Sequence, residues 1–203
     1  MDLLNFVSAN NNIQDTALCG IKVQSADAVS ADSINIVIAD NTILRPGSHG
    51  ILVSSLDFPT TTRKNRNVTV TGNTIGDGAE DAINLNSIIG LVCNDNTIDT
   101  IVQRGIIGTE ISDYTIDDNE ICLTAKGGIV MGTLTPFGSV SRNVVVDCAI
   151  DGTAGQADGI YVVDCTNMTV DNNDISDANA HMINGIRFDT TGFASCSLRE
   201  NVV

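Results

Sequence analysis

The chain has 203 residues, of which 42% are hydrophobic, so it is long enough and apolar enough to bury a sizeable core. Asparagine and aspartate each occur 21 times and glycine 18 times, whereas lysine occurs only 3 times. This composition favours short strands joined by many turns and disfavours a helical bundle. The net charge of −15 argues against a nucleic-acid-binding protein, and no apolar run approaches the roughly 18 residues of a membrane span.

The six cysteines stand singly along the chain, at Cys19, Cys93, Cys122, Cys148, Cys165 and Cys196. No Cys-x-x-Cys pair and no accompanying histidine pattern is present, so no zinc site is expected. A core of this size does not depend on a disulfide framework. We therefore expect the cysteines to be small buried hydrophobic residues with reduced thiols.

A short phrase, asparagine followed by any residue and then an apolar residue, recurs along the whole chain. In chain order its first residues are Asn12 (offset by one position), Asn41, Asn73, Asn96, Asn119, Cys148 in place of asparagine, Asn173 and Asn201. Successive copies are 23 to 32 residues apart, which is the repeat length of a solenoid.

A second phrase, glycine or alanine followed by isoleucine, lies between each pair of asparagine phrases. Its first residues are Gly20, Gly50, Ala82, Gly105, Gly128, Gly159 and Gly185. Around both phrases apolar residues recur with a period of two, which is the period of strands. We expect the positions five and three before each asparagine to face inward, as at Ile36 and Ile38. The same alignment assigns Val7 and Ala9 to the first inward pair, and Val144 and Val146 to the pair before Cys148.

A unit of about 23 residues with this pattern cannot bury its apolar face alone, but stacked units bury a continuous core. A β-α-β unit needs about 30 residues or more, and a propeller blade needs four strands. The sequence therefore predicts an all-β fold, a right-handed parallel β-helix of about seven to eight rungs, with one coil of chain per rung and rungs about 4.8 Å apart. In this fold the asparagines form an inward amide ladder at one bend.

The whole chain, residues 1–203, is predicted to form one β-helix domain. It begins and ends within repeat-like sequence, so we expect either a fragment of a longer chain or end rungs that partners cover. Three units carry extra segments, near residues 24–35, 54–65 and 132–141, which predicts loops that project from one bend. Such loops are frequent places of binding and catalysis, and they are equally places where a solenoid tolerates neutral insertion.

Two stretches, RNVTVTGNTI at residues 66–75 and TNMTVDNNDI at residues 166–175, resemble the repeats of pectin-lyase-like right-handed parallel β-helices. The resemblance covers essentially the whole chain and implies the fold. The pectin-lyase-like family includes pectate lyases, polygalacturonases, alginate epimerases and lyases, and the trimeric tailspikes of bacteriophages. It therefore implies a module that binds or degrades a polysaccharide.

Enzymes with this scaffold collect carboxylates and basic groups from adjacent rungs, and the bend just before the glycine phrase is the most charged column of the sequence. Two carboxyl groups suit glycoside hydrolysis, whereas a base with nearby cations suits a polyuronate lyase. The alternative is that these are ordinary polar residues and ion pairs of a solvated bend. The catalytic candidates, on four consecutive rungs, are His49, Glu80, Asp81, Arg104 and Lys126.

The active-site motifs of the family match poorly. Ser48-His49-Gly50 is similar to the Gly-His-Gly of polygalacturonases, but no Asn-Thr-Asp or Gly-Asp-Asp partner precedes it. The Asp-Pro-His-Asp of alginate epimerases does not occur. Asp57, Asp158 and Tyr161 are the candidates for substrate binding, although aromatic residues make up only 3% of the chain and none is tryptophan.

An acidic column is predicted one place before the asparagine, at Asp40, Asp95, Asp118, Asp147 and Glu200. Calcium takes six to eight oxygen ligands, and Asp95, Asp117 and Asp118 are the carboxylates that it could bridge, but turns in which aspartate bonds its own backbone are the simpler interpretation. No calcium-binding motif is present, so the sequence predicts no metal ion and no cofactor.

An outward apolar stripe is predicted two places after the glycine and just beyond, at Leu52, Ile107, Val130, Tyr161 and Val163. A contiguous stripe of this kind is unusual on a monomer. It predicts either a loop that covers the stripe or an oligomer interface. The more specific form of the second hypothesis is a homotrimer.

Two functions remain open at the level of sequence. The first is a polysaccharide-binding or polysaccharide-degrading module, and the second is a structural or adhesive stalk that acts through oligomerisation. The N-terminal residues have neither the basic nor the apolar region of a signal peptide, which leaves the location open between a phage particle and a fragment of a secreted protein.

Overall fold

The computed structural model describes residues 4–25, 34–55, 64–132, 135–150, 157–189 and 195–203. These ranges contain 20 strands and no helix, and every strand pairing within them is parallel. Each coil of the chain visits three sheets in turn, which we name faces A, B and C. The protein is thus a parallel β-helix, as the repeats predict.

The strands of one face pair with their counterparts one rung on. Two long strands, β9 (Ile83–Asn94) and β11 (Arg104–Asp117), bend from face C into face A and belong to both. The other strands of face A are β1 (Leu4–Ala9), β4 (Ile34–Ala39), β7 (Asn65–Thr71), β14 (Gly138–Ser141), β17 (Met168–Asp171) and β20 (Ser197–Arg199). Face B contains β2 (Asn12–Gln14), β5 (Thr42–Leu44), β8 (Thr74–Gly78), β10 (Thr97–Ile101), β12 (Glu120–Thr124), β15 (Val144–Val146) and β18 (Asp174–Ser176). The remaining strands of face C are β3 (Ile21–Ser25), β6 (Ile51–Ser55), β13 (Gly127–Gly132), β16 (Asp158–Val163) and β19 (Asn184–Asp189).

The described strands stack as eight in face A and seven in each of faces B and C, which agrees with the predicted seven to eight rungs. The core is a set of columns in which like side chains lie over one another. In face A, for example, Ile36 pairs with Val68, Val68 with Leu91 and Leu91 with Tyr114, and all four are buried. The next member of this column is Gly138, where an added Cβ would lie 2.1 Å from the Tyr114 ring, so glycine makes room for that ring.

An asparagine ladder joins face A to face B on every described rung. The side-chain oxygen of Asn96 accepts bonds from the backbone N–H (3.1 Å) and the Nδ2 (3.0 Å) of Asn73 on the preceding rung. The Nδ2 of Asn96 donates to the Val70 and Asn94 carbonyls, each at 3.0 Å, and to Oδ1 of Asn119 at 2.9 Å. The same pattern continues through Asn11, Asn41, Asn73, Asn96, Asn119, Asn143, Asn173 and Asn201.

The residue before each ladder asparagine has a left-handed backbone. These φ angles run from 51° at Glu200 to 64° at Gly72. Asparagine, aspartate and glycine tolerate this conformation better than other residues, so the bend accounts for the predicted acidic column at Asp40, Asp95, Asp118 and Glu200. Asp147 does not belong to this column, because Arg142 is the residue before the ladder asparagine of its rung.

Two places in the predicted alignment are wrong. The first ladder residue is Asn11 instead of Asn12, so Val7 points outward and is 66% exposed while Phe6 pairs with Ile36. The ladder then uses Asn143 instead of Cys148, which is buried elsewhere in the core. As a result Val144 and Val146 face outward on face B, with Val145 fully buried between them.

The extra segments do not all leave at one bend. The segments predicted near 24–35 and 54–65 fall mostly on residues 26–33 and 56–63, which lie outside the described residues, and in chain order each stands between a strand of face C and the next strand of face A. The segment predicted at 132–141 is not an insertion, because Asn119 and Asn143 are 24 residues apart and thus close to the minimal 23. In chain order the additional residues of that part fall between β15 and β16, and residues 151–156 of this segment lie outside the described residues.

Replacing Asn96 by alanine is expected to lower the free energy of unfolding by about 3 kcal/mol, because buried donors and acceptors on both neighbouring rungs lose their partners. Asn11→Ala is the matched control, since Asn11 is exposed and no described rung lies before it. That variant should lose about 1 kcal/mol or less. Urea denaturation followed by circular dichroism measures both, and equal losses would contradict the cooperative role of the ladder.

Candidate functional site

The residues just before the glycine phrase form one column at the corner from face B to face C, which we name the bend column. Backbone hydrogen bonds and strand register place its members directly over one another. They are, rung by rung, His49, Asp81, Arg104, Gly127, Asp158 and Asn184. The adjacent outer positions carry Ser48, Glu80, Gln103, Lys126, Ala157 and Ile183.

Asp81 lies at the centre of a cluster of polar side chains from three successive rungs. Its side chain is only 4% exposed. One carboxylate oxygen accepts from the backbone N–H (3.3 Å) and Nη1 (3.2 Å) of Arg104, and the other accepts from Nδ2 of Asn84 at 3.0 Å. A buried carboxylate is costly without such partners, so these contacts are what allow Asp81 to lie at the corner.

His49 bridges the two adjacent carboxylates of the next rung. Its Nε2 lies 3.2 Å from Oε2 of Glu80, and its Nδ1 lies 3.6 Å from Oδ2 of Asp81. The hydroxyl of Ser48 donates to the same Glu80 oxygen at 2.6 Å. The Glu80 side chain is 41% exposed, so Glu80 is accessible to a ligand whereas Asp81 is not. We name Ser48, His49, Glu80, Asp81, Asn84 and Arg104 the Asp81 cluster.

Four of the eight predicted site residues do not join this cluster: Lys126, Asp57, and the pair Asp158 and Tyr161 described below. Lys126 lies one rung beyond Arg104, and its side chain makes no ion pair or hydrogen bond with any described residue. Asp57 lies outside the described residues. The structure therefore brings together four of the five catalytic candidates, with Asn84 and Ser48 as additional members.

Asp158 is the centre of a second cluster, three rungs or about 14 Å further along the bend column. Its side chain is 1% exposed, its Oδ1 accepts from Nδ2 of Asn184 at 2.6 Å, and its Oδ2 lies 3.7 Å from Nη1 of Arg187. The Arg187 guanidinium lies over the Tyr161 ring, 4.8 Å from its centroid, and donates to Asp189 at 2.6 Å. We name Asp158, Tyr161, Asn184, Arg187 and Asp189 the Asp158 cluster.

Tyr161 contacts other members of this cluster through one face of its ring and through its hydroxyl. The hydroxyl donates to Oδ2 of Asp189 at 3.2 Å. Burial raises the pKa of Tyr161, and the neighbouring Asp189 carboxylate adds to that increase. Sequence reasoning missed Asn184, Arg187 and Asp189, although their positions one rung beyond Asp158 and Tyr161 are a signal that the repeat alignment contains.

The residues of the predicted outward stripe are half-buried. Its members all point outward from face C, but Asn84 separates Leu52 from Ile107 in the paired column, and Arg187 covers Tyr161. The strongly exposed apolar residues of this part of the molecule lie at the corner from face B to face C instead. Three of them, Val102, Leu123 and Ile150, line a shallow cavity of about 160 Å³, and Leu18 and Ile183 are further examples at this corner.

Two of the three acidic residues considered for calcium, Asp117 and Asp118, are paired with an arginine, and Asp95 accepts from Nδ2 of Asn94 at 2.7 Å. Arg142 pairs with Asp117 and, at 3.1 Å, with Asp118 of the preceding rung. Burial raises the pKa of Asp117, while the Ser141 hydroxyl and Arg142 act in the opposite direction. Over the described ranges no group of three His, Cys, Asp or Glu side chains is arranged to hold a metal ion.

A further polar cluster, which sequence reasoning missed, lies at the corner from face C to face A. Ser87 donates to Oε2 of Glu110 at 3.1 Å, and Lys64 donates to the Glu110 carbonyl at 2.7 Å. Burial lowers the pKa of Lys64, and the Glu110 carboxylate opposes that effect. Ser87 and Glu110 both have left-handed backbones, so this corner is built from stacked polar residues like the others.

Among solved structures, the A-module of the mannuronan C-5 epimerase AlgE4 from Azotobacter vinelandii has the same fold. The TM-score is 0.66 at 16% sequence identity, and the match covers 98% of this chain and 53% of that one, so this chain spans about half of the epimerase module. The A-module of AlgE6 from the same organism aligns at 19% identity over 84% of this chain and 52% of its own, but its TM-score of 0.27 is too low to carry an argument. No protein-family model and no curated protein matches the sequence. At these identities the likeness shows the fold alone.

No stretch in the part of the chain that the structure describes forms a helix long and apolar enough to cross a membrane.

Arg104→Ala is expected to lower the free energy of unfolding by about 2 kcal/mol, because the buried Asp81 carboxylate loses a charged hydrogen-bond donor. Lys126→Ala, one rung away on the same corner, is the control and should change stability by less than about 0.5 kcal/mol. Chemical denaturation of both variants measures the difference. If the two variants lost equal stability, the Asp81–Arg104 pair would not be what holds this corner.

Proposed function

We propose that this chain is a polysaccharide-binding β-helix module and that a linear glycan lies along the outer surface of face C, parallel to the stack. The observation that carries the proposal is the presence of the Asp81 and Asp158 clusters along one edge of this face, about 14 Å apart. The fold likeness to a module of a mannuronan epimerase, an enzyme that acts on a polysaccharide, supports it.

The outer surface of face C offers one side chain per rung between these clusters. From the first rung to the last the row is Lys22, Leu52, Asn84, Ile107, Val130, Tyr161 and Arg187. Because rungs repeat about every 4.8 Å, a polymer of repeating sugars can contact equivalent positions on successive rungs. Half-buried apolar side chains can pack against the C–H face of a sugar ring, and the flanking amides and carboxylates can bond its hydroxyls.

A glycan-degrading activity at the Asp81 cluster is the second candidate function. Glu80 is the accessible carboxylate of the cluster and carries the role of general acid or base, with His49 beside it. Asp81 is buried and bonded on both oxygens, so its role is to position Asn84 and Arg104. The acid–base partner that a hydrolase also needs would come from a neighbouring carboxylate such as Asp57.

A structural stalk that acts through oligomerisation is the remaining alternative, and the half-buried stripe of face C favours it. Light scattering separates it from the binding proposal, because a stalk of this kind must associate in solution. A glycan-binding monomer would contradict it.

Ile107→Glu is expected to weaken glycan binding about tenfold or more, because it places a charge in the middle of the apolar row of face C. Thr115→Glu is the matched control: it lies on the same strand, β11, and is similarly half-buried, but points outward from face A. Isothermal titration against a panel of linear bacterial and algal polysaccharides measures both. Equal weakening by the two variants would place the binding surface elsewhere.

Glu80→Gln is expected to lower any glycan-cleaving rate by about 100-fold or more while binding persists, because the variant keeps the shape of the side chain and loses the proton transfer. Release of reducing ends and of unsaturated uronates reports hydrolase and lyase activity respectively. Lys126→Ala, outside the cluster, should leave that rate within about twofold. A rate that survives Glu80→Gln and falls in Lys126→Ala would remove the Asp81 cluster as the catalytic site.

A further inference from the structure

We propose that the glycan bound by face C is uncharged, a neutral polysaccharide and not a polyuronate. The inference rests on the proposed function, because it assigns the substrate class of the same surface. Its evidence is which charged side chains on face C and along the bend column already have a partner of opposite charge within the protein.

The guanidinium groups of this surface are already neutralised by the protein's own carboxylates. Arg104 is held by the buried Asp81 at 3.2 Å. Arg187 is held by Asp189 at 2.6 Å and lies 3.7 Å from the buried Asp158. A sugar carboxylate that approached either arginine would have to compete with a carboxylate whose bonds are formed at no cost in translational freedom.

Among the described residues of this surface, few cations are left for an anionic ligand. Lys126 and Lys22 are the lysines of face C and its bend column without an ion pair to a described residue, and they lie on different rungs, four apart. A regular polyuronate presents one carboxylate per sugar, so two isolated lysines cannot neutralise the several sugars that would cover face C.

The accessible acceptors of face C repel carboxylates and suit hydroxyl groups. Glu80 and Asp189 are the exposed carboxylates at the two clusters, with side chains 41% and 55% exposed. Their free oxygens accept hydrogen bonds from sugar hydroxyls, whereas a sugar carboxylate in the same place would be a like charge. Between them, Asn84 and Asn86 are neutral amides, and Ile107 and Val130 are apolar.

The electrostatic field of the whole chain also disfavours an anionic glycan. The chain carries a net charge of −15, which lowers the local concentration of any polyanion near the surface at low ionic strength. A neutral glycan is unaffected by this field, so its affinity should change little with salt. The epimerase module with the same fold is named for mannuronan, a uronic acid polymer. The two proteins would therefore share a fold and differ in the class of glycan that they bind.

The test uses pairs of polymers that share linkage and sugar stereochemistry and differ only at C6: 1,4-linked mannan with mannuronan, glucan with glucuronan, and galactan with galacturonan. Titration of the whole chain at low and at moderate salt should show a neutral polymer bound about tenfold or more tightly than its uronate partner. The difference should shrink as salt rises, because screening weakens only the repulsion of the uronate.

A local charge-removal variant distinguishes face C from the overall charge. Glu80→Gln combined with Asp189→Asn should bring the uronate affinity several-fold closer to that of the neutral polymer. The control, Asp99→Asn combined with Glu120→Gln, removes two exposed carboxylates from face B and should leave the difference unchanged. An equal change in both double variants would overturn the assignment to face C.

Two other outcomes are decisive. A uronate polymer bound as tightly as its neutral partner, with an affinity that falls as salt rises, would overturn this inference and leave the proposed function standing. Binding of none of the six polymers, by a chain whose denaturation profile shows it folded, would count against the proposed function itself.

Discussion

The structure depends on one repeated interaction, the asparagine ladder between faces A and B. Each ladder amide satisfies a backbone N–H of the preceding rung, two backbone carbonyls and the next amide, as Asn96 does between Asn73 and Asn119. An interior bend would otherwise leave these buried polar groups without partners, which is expensive. Because the bonds run from rung to rung, they also fix the vertical register, and every column on faces A, B and C inherits its alignment from them.

Most of the fold is predictable from the sequence because a solenoid repeats one local solution. The period of two and the alternation of asparagine and glycine phrases predict two or three short strands per rung, and the structure confirms the columns through Ile36, Val68 and Leu91. The prediction failed where the pattern is locally ambiguous. Val144, Val145 and Val146 are apolar on both faces, so periodicity cannot say which of them points inward. At the first rung three consecutive asparagines, Asn10 to Asn12, permit a shift of one residue, and such a shift exchanges the two faces of a strand.

The candidate site was predictable as a column but not as a set of bonds. Register alone places His49, Asp81 and Arg104 on neighbouring rungs. Which side chains then pair depends on reach and burial: Arg104 folds back onto Asp81, while Lys126, only one rung further, extends without a carboxylate partner among the described residues. The same factor separates Glu80 from Asp81, which are adjacent in sequence but differ tenfold in exposure, 41% against 4%. Spacing in the sequence contains no information on that difference.

Inward and outward positions of the β-helix differ in how much they contribute to stability, so they differ in how readily they tolerate substitution. The ladder asparagines, the left-handed residues before them and the inward aliphatic side chains hold each rung to its neighbours. Outward residues of face C that bond no buried carboxylate, such as Ile107 and Val130, contribute less to that cohesion than Asn84 and Arg187 do. The same fold is compatible with sequences that are only 16% identical, at a TM-score of 0.66, and its outward surface can therefore carry different chemistry on an equivalent core.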